Sequence, residues 1–265
     1  MDLFPVDLYY ENVGTGIPVI LIHGFPLNHQ IWEPVLPILS EKVNVILPDL
    51  RGHGRSPATD GIYPMRLMAE DIARLLDKLE IEKAILVGHS MGGYVALAFA
   101  HAYPNRLSGL GLIASQAADD SPEKRQDRYK SASYVKRYGL KRILSEMPQK
   151  LTSNPGFYEK LTEIIKSTPT SGVIGALMGM AERENATEWL PKILCPTVVV
   201  HGKKDSIVPE WRGKTMVQLL NRGWLVEIEE AGHLPMMETP EIVAEAILQL
   251  SCRVKKDDKS NRTNC

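Results

Sequence analysis

The chain has 265 residues, 44% of them hydrophobic and 24% charged, and a formal net charge of -1. That length suits one large α/β domain with room for an insertion, and a core of that size needs no disulfide or metal staple. The near-zero charge supplies no global field for nucleic acid or an anionic membrane, so neither is expected as a partner.

Cys195, Cys252 and Cys265 are too few and too scattered for a disulfide framework or a Cys-x-x-Cys metal site, which fits a reducing compartment. Acids at Asp2 and Asp7 stand where a signal peptide would carry Lys or Arg. No apolar run approaches the roughly 18 residues of a membrane span. A cytoplasmic protein is expected.

In chain order, residues 3–10 and 19–22, separated by Asn12, Gly14 and Gly16, read as strands joined by a tight connection at an antiparallel edge. Runs 19–22, 43–47, 84–87 and 197–200 are apolar without alternation, as inner strands of a parallel sheet are when both faces are covered. Residues 107–113 and 224–228 add two strand candidates, and 65–79, 90–103 and 240–250 read as helices. This βαβ alternation predicts a mostly parallel, doubly wound sheet. It breaks from about 117 to 189, where the pattern is helical without strands, and the tail 253–265 is polar, aperiodic and expected to be disordered.

The inserted segment has a basic first half, in which Lys124, Arg125, Arg128, Lys130, Lys136, Arg137, Lys141 and Arg142 outnumber Glu123 and Asp127. A solvated helix face is the first explanation, and attraction of acidic substrates or of a partner surface is the second. Further on, Ile174, Leu177, Met178 and Ala181 form one apolar helical face. Glycines at 172, 175 and 179 weaken that helix by about 1 kcal/mol each relative to Ala, which makes sense where something must approach closely or move.

Gly88-His89-Ser90-Met91-Gly92 follows the apolar run 84–87 and opens a helical stretch. This Gly-x-Ser-x-Gly frame turns sharply from strand to helix and exposes the serine on a strained backbone. A serine hydroxyl becomes an effective nucleophile only with a base, a carboxylate to orient that base, and donors for the oxyanion. Of seven histidines, His233 is the best-placed base, lying between the last strand and the helix from 240. Asp205, just past the strand 197–200, is the preferred orienting acid, with Asp49 and Glu238 as rivals. Loops at strand C-terminal ends converge in open α/β sheets, so these residues can meet.

The oxyanion donors are expected to be the backbone N–H groups of Met91 and of Phe25 in His23-Gly24-Phe25-Pro26. His23 and His89 lie inside turns and are expected to support them. Leu27 beside the first turn, Leu234 beside the base and Met178 on the cap helix are expected to contact substrate. No His-Glu-x-x-His pattern or cluster of His and Cys points to a metal, and no cofactor is expected.

These residues resemble the α/β-hydrolase superfamily, in particular its small cap-bearing esterases, lactonases and perhydrolases. The resemblance rests on His23-Gly24-Phe25-Pro26, Asp49 with Arg51-Gly52-His53-Gly54-Arg55-Ser56, the elbow at Ser90, Asp205 and Gly232-His233, and spans almost the whole chain. It implies an α/β-hydrolase fold with a core of 1–116 and 190–252 and a helical cap of 117–189. It also implies a triad of Ser90, Asp205 and His233 and an acyl-enzyme on Ser90 that water hydrolyses. The expected function is cofactor-independent hydrolysis of carboxylic esters of small or medium acyl chains. Lactone opening and carbon-carbon bond hydrolysis use the same machinery and stay open. A serine at the elbow argues against dehalogenases and epoxide hydrolases of this scaffold, which need a carboxylate nucleophile. A non-catalytic ligand receptor is the alternative from another class, and the oligomeric state is left open.

Overall fold

The structure, a computed structural model, describes residues 4–260. Seven strands form one sheet: β1 (Tyr10–Val13), β2 (Pro18–Ile22), β3 (Asn44–Pro48), β4 (Ala84–His89), β5 (Leu107–Ile113), β6 (Thr197–Gly202) and β7 (Gly223–Ile228). Their spatial order is β1-β3-β2-β4-β5-β6-β7, with β1 antiparallel to β3 and every other pair parallel. The helices, in chain order, are α1 (Leu36–Leu39), α2 (Met65–Lys78), α3 (Met91–Ala102), α4 (Pro122–Tyr138), α5 (Lys141–Leu151), α6 (Tyr158–Lys166), α7 (Thr170–Ala181), α8 (Trp211–Leu219), α9 (Pro235–Glu238) and α10 (Pro240–Ser260).

Alternation along each strand sends side chains to two separate cores. Ile20, Ile22, Ile46 and Leu86 pack with Ile72 and Leu76 of α2 and Val95 and Phe99 of α3. Val19, Leu21, Val45, Ile85 and Val87 pack on the other face with Ile31, Trp32 and the α10 residues Val243, Ile247 and Leu250. Both faces are therefore dry, which is why the inner strands read as unbroken apolar runs. Helices α4 to α7 lie between β5 and β6 with no strand among them.

Two regions differ from the sequence expectation. The first strand is Tyr10–Val13, and it pairs with β3, because β2 is hydrogen-bonded on both sides by β3 and β4. The residues before it are claimed largely by side chains. Asp71 accepts from the Val6 N–H, Arg51 donates to the Phe4 carbonyl, and Ser56 accepts from the Tyr9 N–H. The second is the tail, expected to be disordered from 253, which continues α10 to Ser260. Val254 is buried against β5, the Arg253 guanidinium lies 3.9 Å from the Trp224 ring centroid, and Arg222 grips Asp257 through two bonds of 2.6 and 3.0 Å. Residues 261–265 of that expected tail lie outside the described residues.

The glycines of α7 are explained by close approach to the loop after β3. A Cβ on Gly172 would lie 1.8 Å from the Gly52 carbonyl oxygen, and one on Gly179 would lie 1.8 Å from that of Tyr63. Backbone against backbone leaves no room for a methyl group. Gly172→Ala and Gly179→Ala should therefore destabilise by about 1–3 kcal/mol, the usual range for overpacking, although Ala alone would favour the helix by about 1 kcal/mol. Urea unfolding measures this, and a stabilised variant would contradict the packing account.

Candidate active site

Ser90 joins β4 to α3 with φ 50° and ψ -113°, a conformation that L residues rarely adopt. Its N–H donates to the Ile113 carbonyl at 2.9 Å, and its own carbonyl accepts from the Ser115 hydroxyl at 2.9 Å. Glycines make the turn possible. A Cβ on Gly88 would strike the Gly92 carbonyl oxygen at 2.2 Å, and a Cβ on Gly92 would strike that of Ile22 at 2.4 Å. The first contact closes the corner, and the second presses α3 against the end of β2.

His233 follows β7 and Asp205 follows β6, so both arrive from strand C-terminal ends beside Ser90. His233 Nε2 is 3.0 Å from Ser90 Oγ, and His233 Nδ1 is 2.8 Å from Asp205 Oδ2. The other carboxylate oxygen of Asp205 accepts from the Ile207 and Val208 amides at 2.8 and 3.0 Å. Burial pushes the Asp205 carboxyl up, but the His233 charge and hydrogen bond, with those two amides, outweigh it and hold the group below the usual carboxylate range. An ionised, immobile acceptor therefore faces Nδ1. That favours the tautomer with Nδ1 protonated and Nε2 free to take a proton from Ser90.

The rival acids have other tasks. Asp49 accepts from the His29 amide at 2.9 Å, faces His29 Nδ1 at 2.7 Å and accepts from the Arg55 amide at 2.8 Å, which holds its own loop together. Glu238 accepts from the Gly232 amide and from the Thr152 hydroxyl, tying the His233 loop to the end of α5.

The turn His23 to Pro26 lies against the elbow. A Cβ on Gly24 would meet His89 Nδ1 at 2.6 Å and Ser90 Cβ at 3.1 Å. The turn is tied by Leu27 N–H to the Gly24 carbonyl at 2.9 Å and by a contact of 2.9 Å between His23 Nδ1 and the same oxygen. Met91 is the first residue of α3, where an N–H has no carbonyl one turn behind it. His23 Nε2 accepts from the Leu50 amide at 2.9 Å, so its proton is on Nδ1. His89 Nε2 lies 2.8 Å from the His233 carbonyl and holds the base loop. Both histidines thus join turns to one another.

A cavity of about 460 Å³ opens over Ser90 and His233. Its apolar wall comes from Phe25, Tyr94, Val135, Met147, Leu177 and Met180. The residues expected to contact substrate are elsewhere. Leu27 and Leu234 are fully buried in the core layer beneath β2 and α9, and Met178 does not line the cavity, its neighbours Leu177 and Met180 taking that place. One helical step, about 100°, separates Met178 from the cavity-lining Leu177. Of the basic residues singled out, Lys124, Arg128, Lys130 and Arg142 line the cavity, whereas Arg125, Lys136, Arg137 and Lys141 do not. Ile207, two residues past Asp205, also lines it without any sequence signal, whereas Ile143 and Leu151 of α5 stand with Met147 at i, i+4 and i+8, an apolar helical period that the sequence carries.

Among the described residues no group of three or more His, Cys, Asp or Glu is arranged to hold a metal ion, and no helix is long and apolar enough to cross a membrane. A mostly parallel sheet whose strand ends bring a strained serine, a histidine and a buried aspartate into one line of hydrogen bonds defines the class as an α/β hydrolase. The chain belongs to that family, whose model for the alpha/beta hydrolase fold matches residues 17–240. It is similar to a thermophilic esterase from Thermogutta terrifontis solved with malate bound, at 42% identity, a TM-score of 0.90 and 93% coverage of both chains. It is 30% identical to a 2-hydroxymuconate semialdehyde hydrolase from Pseudomonas sp. (strain CF600), over 86% of this chain and 84% of that one. The enol-lactonase from Burkholderia xenovorans LB400, at 22% identity and a TM-score of 0.86 over 92% and 96% of the two chains, shares the fold.

Burial lowers the pKa of both His53 and His89 to about 3, with a neighbouring histidine adding to the effect in each case, His23 for His53 and His233 for His89. Because these folded values lie below the ordinary 6.5, the stability they contribute is complete above pH 6.5 and is lost as pH falls toward about 3. Urea unfolding midpoints should decline across that window. In proton NMR, these two imidazoles should fail to titrate between about pH 5 and pH 8; titration of both near the ordinary value would contradict the buried, neutral assignment.

Proposed function

We propose that this hydrolase cleaves carboxylic esters of small or medium acyl chains through an acyl-enzyme on Ser90. The observation that carries the reading is the relay Asp205–His233–Ser90, at 2.8 and 3.0 Å, with Ser90 and His233 opening onto a cavity lined by both apolar and charged side chains. His233 takes the hydroxyl proton as Ser90 Oγ attacks the ester carbonyl, and Asp205 stabilises the imidazolium that forms. The tetrahedral oxyanion is received by the Phe25 and Met91 amides. His233 then returns the proton to the departing alcohol. In the second half, water gives its proton to His233 and attacks the acyl carbon, freeing the acid and restoring Ser90.

The 42% identical esterase favours the ester over other acyl substrates. Lactones remain the second reading, because opening a cyclic ester uses the same atoms, and a scaffold shared with an enol-lactonase accommodates it.

A fluorophosphonate probe should label the wild-type chain at Ser90, and short p-nitrophenyl esters should be hydrolysed by wild type and left intact by Ser90→Ala. Absence of labelling together with equal inertness of both proteins would sink the enzyme reading in favour of a ligand receptor. Asp205→Asn should leave the fold intact and lower kcat by about 10⁴-fold, the loss seen when a triad histidine is held in the wrong tautomer. Near-normal turnover in that variant would move the orienting role to another carboxylate.

A further inference from the structure

Five cationic side chains line the cavity over Ser90, namely Lys124, Arg128, Lys130, Arg142 and Lys150, against two anionic ones, Asp127 and Glu146. Four of the five cations are already paired. Arg128 is bound by Asp120, Lys130 lies 3.5 Å from Asp127, and Arg142 and Lys150 share Glu146 at 2.8 and 2.7 Å. Lys124, in the first turn of α4, has no ion pair or side-chain hydrogen bond among the described residues. It is only partly exposed, in the wall of the same cavity as Ser90 and His233.

Its surroundings hold an excess of positive charge. Asp120 is the acid that acts on it, but Asp120 is clasped by Arg128 and by Arg183 at 2.8 Å, and Arg212 adds to the repulsion. Burial first, and then repulsion by Arg128, lower the Lys124 ammonium below the usual lysine range. A solvent-exposed lysine on a helix needs no partner. A partly buried one among guanidinium groups is relieved by an anion, and the bond to that anion is correspondingly strong.

We propose that the cavity selects esters whose acyl part carries a second, free carboxylate, with that carboxylate received by Lys124. Such substrates are hemi-esters of dicarboxylic acids. Hydrolysis adds water across the ester bond and yields the dicarboxylate and the alcohol, while the distal carboxylate takes no part in bond making. Phe25, Leu177 and Met180, which line the same cavity, offer apolar surface to the methylene chain. Lys124 thus determines specificity and does not act on the reacting atoms.

The inference rests on the serine-hydrolase reading for turnover, whereas anion binding can be measured without it. In isothermal titration, Ser90→Ala should bind monomethyl glutarate or monomethyl adipate about tenfold or more tightly than methyl esters of the matched monocarboxylic acids. Adding Lys124→Gln should abolish that difference, and adding Lys124→Arg should retain it. In the active enzyme, the ratio of kcat/KM for hemi-ester over neutral ester should fall by a similar factor in Lys124→Gln and stay at the wild-type value in Lys136→Gln, which alters an exposed lysine away from the cavity. Equal affinity of Ser90→Ala for charged and neutral esters, or an unchanged ratio in Lys124→Gln, would overturn the proposal. Failure of Ser90 to react with a fluorophosphonate would instead remove the hydrolase reading, leaving the titration to decide whether the cavity binds the anion.

Discussion

The backbone of Ser90 is held where a serine would not settle unaided, and the rest of the site is arranged around that fact. A residue in such a conformation carries roughly 1–3 kcal/mol of strain and persists only where its surroundings overdetermine it. Here β5 fixes the Ser90 amide through Ile113, Ser115 fixes its carbonyl, and Gly88 and Gly92 let β4, α3 and β2 come into backbone contact. The same closeness brings the turn carrying Phe25 against the serine, since Gly24 touches Ser90 and His89. His89 in turn holds the carbonyl of His233. The strained corner, the proposed oxyanion turn and the base loop form one packed unit, and a fault in any of them would be felt by the other two.

Electrostatics complete that unit. Asp205 is buried yet ionised because two loop amides and His233 all favour its charged form, so its geometry is set by backbone rather than by a flexible neighbour. His201, fully buried, donates from Nε2 to the Val208 carbonyl at 2.8 Å and stiffens the same loop. Glu238 bridges the His233 loop to Thr152, which links the position of His233 to the end of α5.

Much of this was legible in the sequence where local patterns and long-range structure coincide. The runs at 19–22, 84–87 and 197–200 announce inner strands because strands dry on both faces can use only apolar residues. The meeting of Ser90, His233 and Asp205 was legible because each stands within a few residues of the end of one of the sheet's strands, where the fold itself brings loops together. The first strand was not, since its placement depends on Arg51, Asp71 and Ser56 capturing a segment many residues away. The end of α10 was not either, because polar residues past 252 become helical through Trp224, Arg222 and β5, none of them local. The cavity wall depends on helix rotation, and one residue decides whether Leu177 or Met178 lines it. The basic stretch of α4 was visible, but only the structure separates Lys124 from its paired neighbours.

The central claim is that Ser90 carries the acyl group between two half-reactions. Intact-protein mass spectrometry on enzyme acid-quenched during turnover of a slowly deacylating p-nitrophenyl ester tests it most directly. The account expects a mass increase equal to the acyl group, located by peptide mapping to Ser90 and absent from Ser90→Ala. Full hydrolysis with a pre-steady-state burst but no adduct at Ser90, or an adduct on another residue, would contradict it.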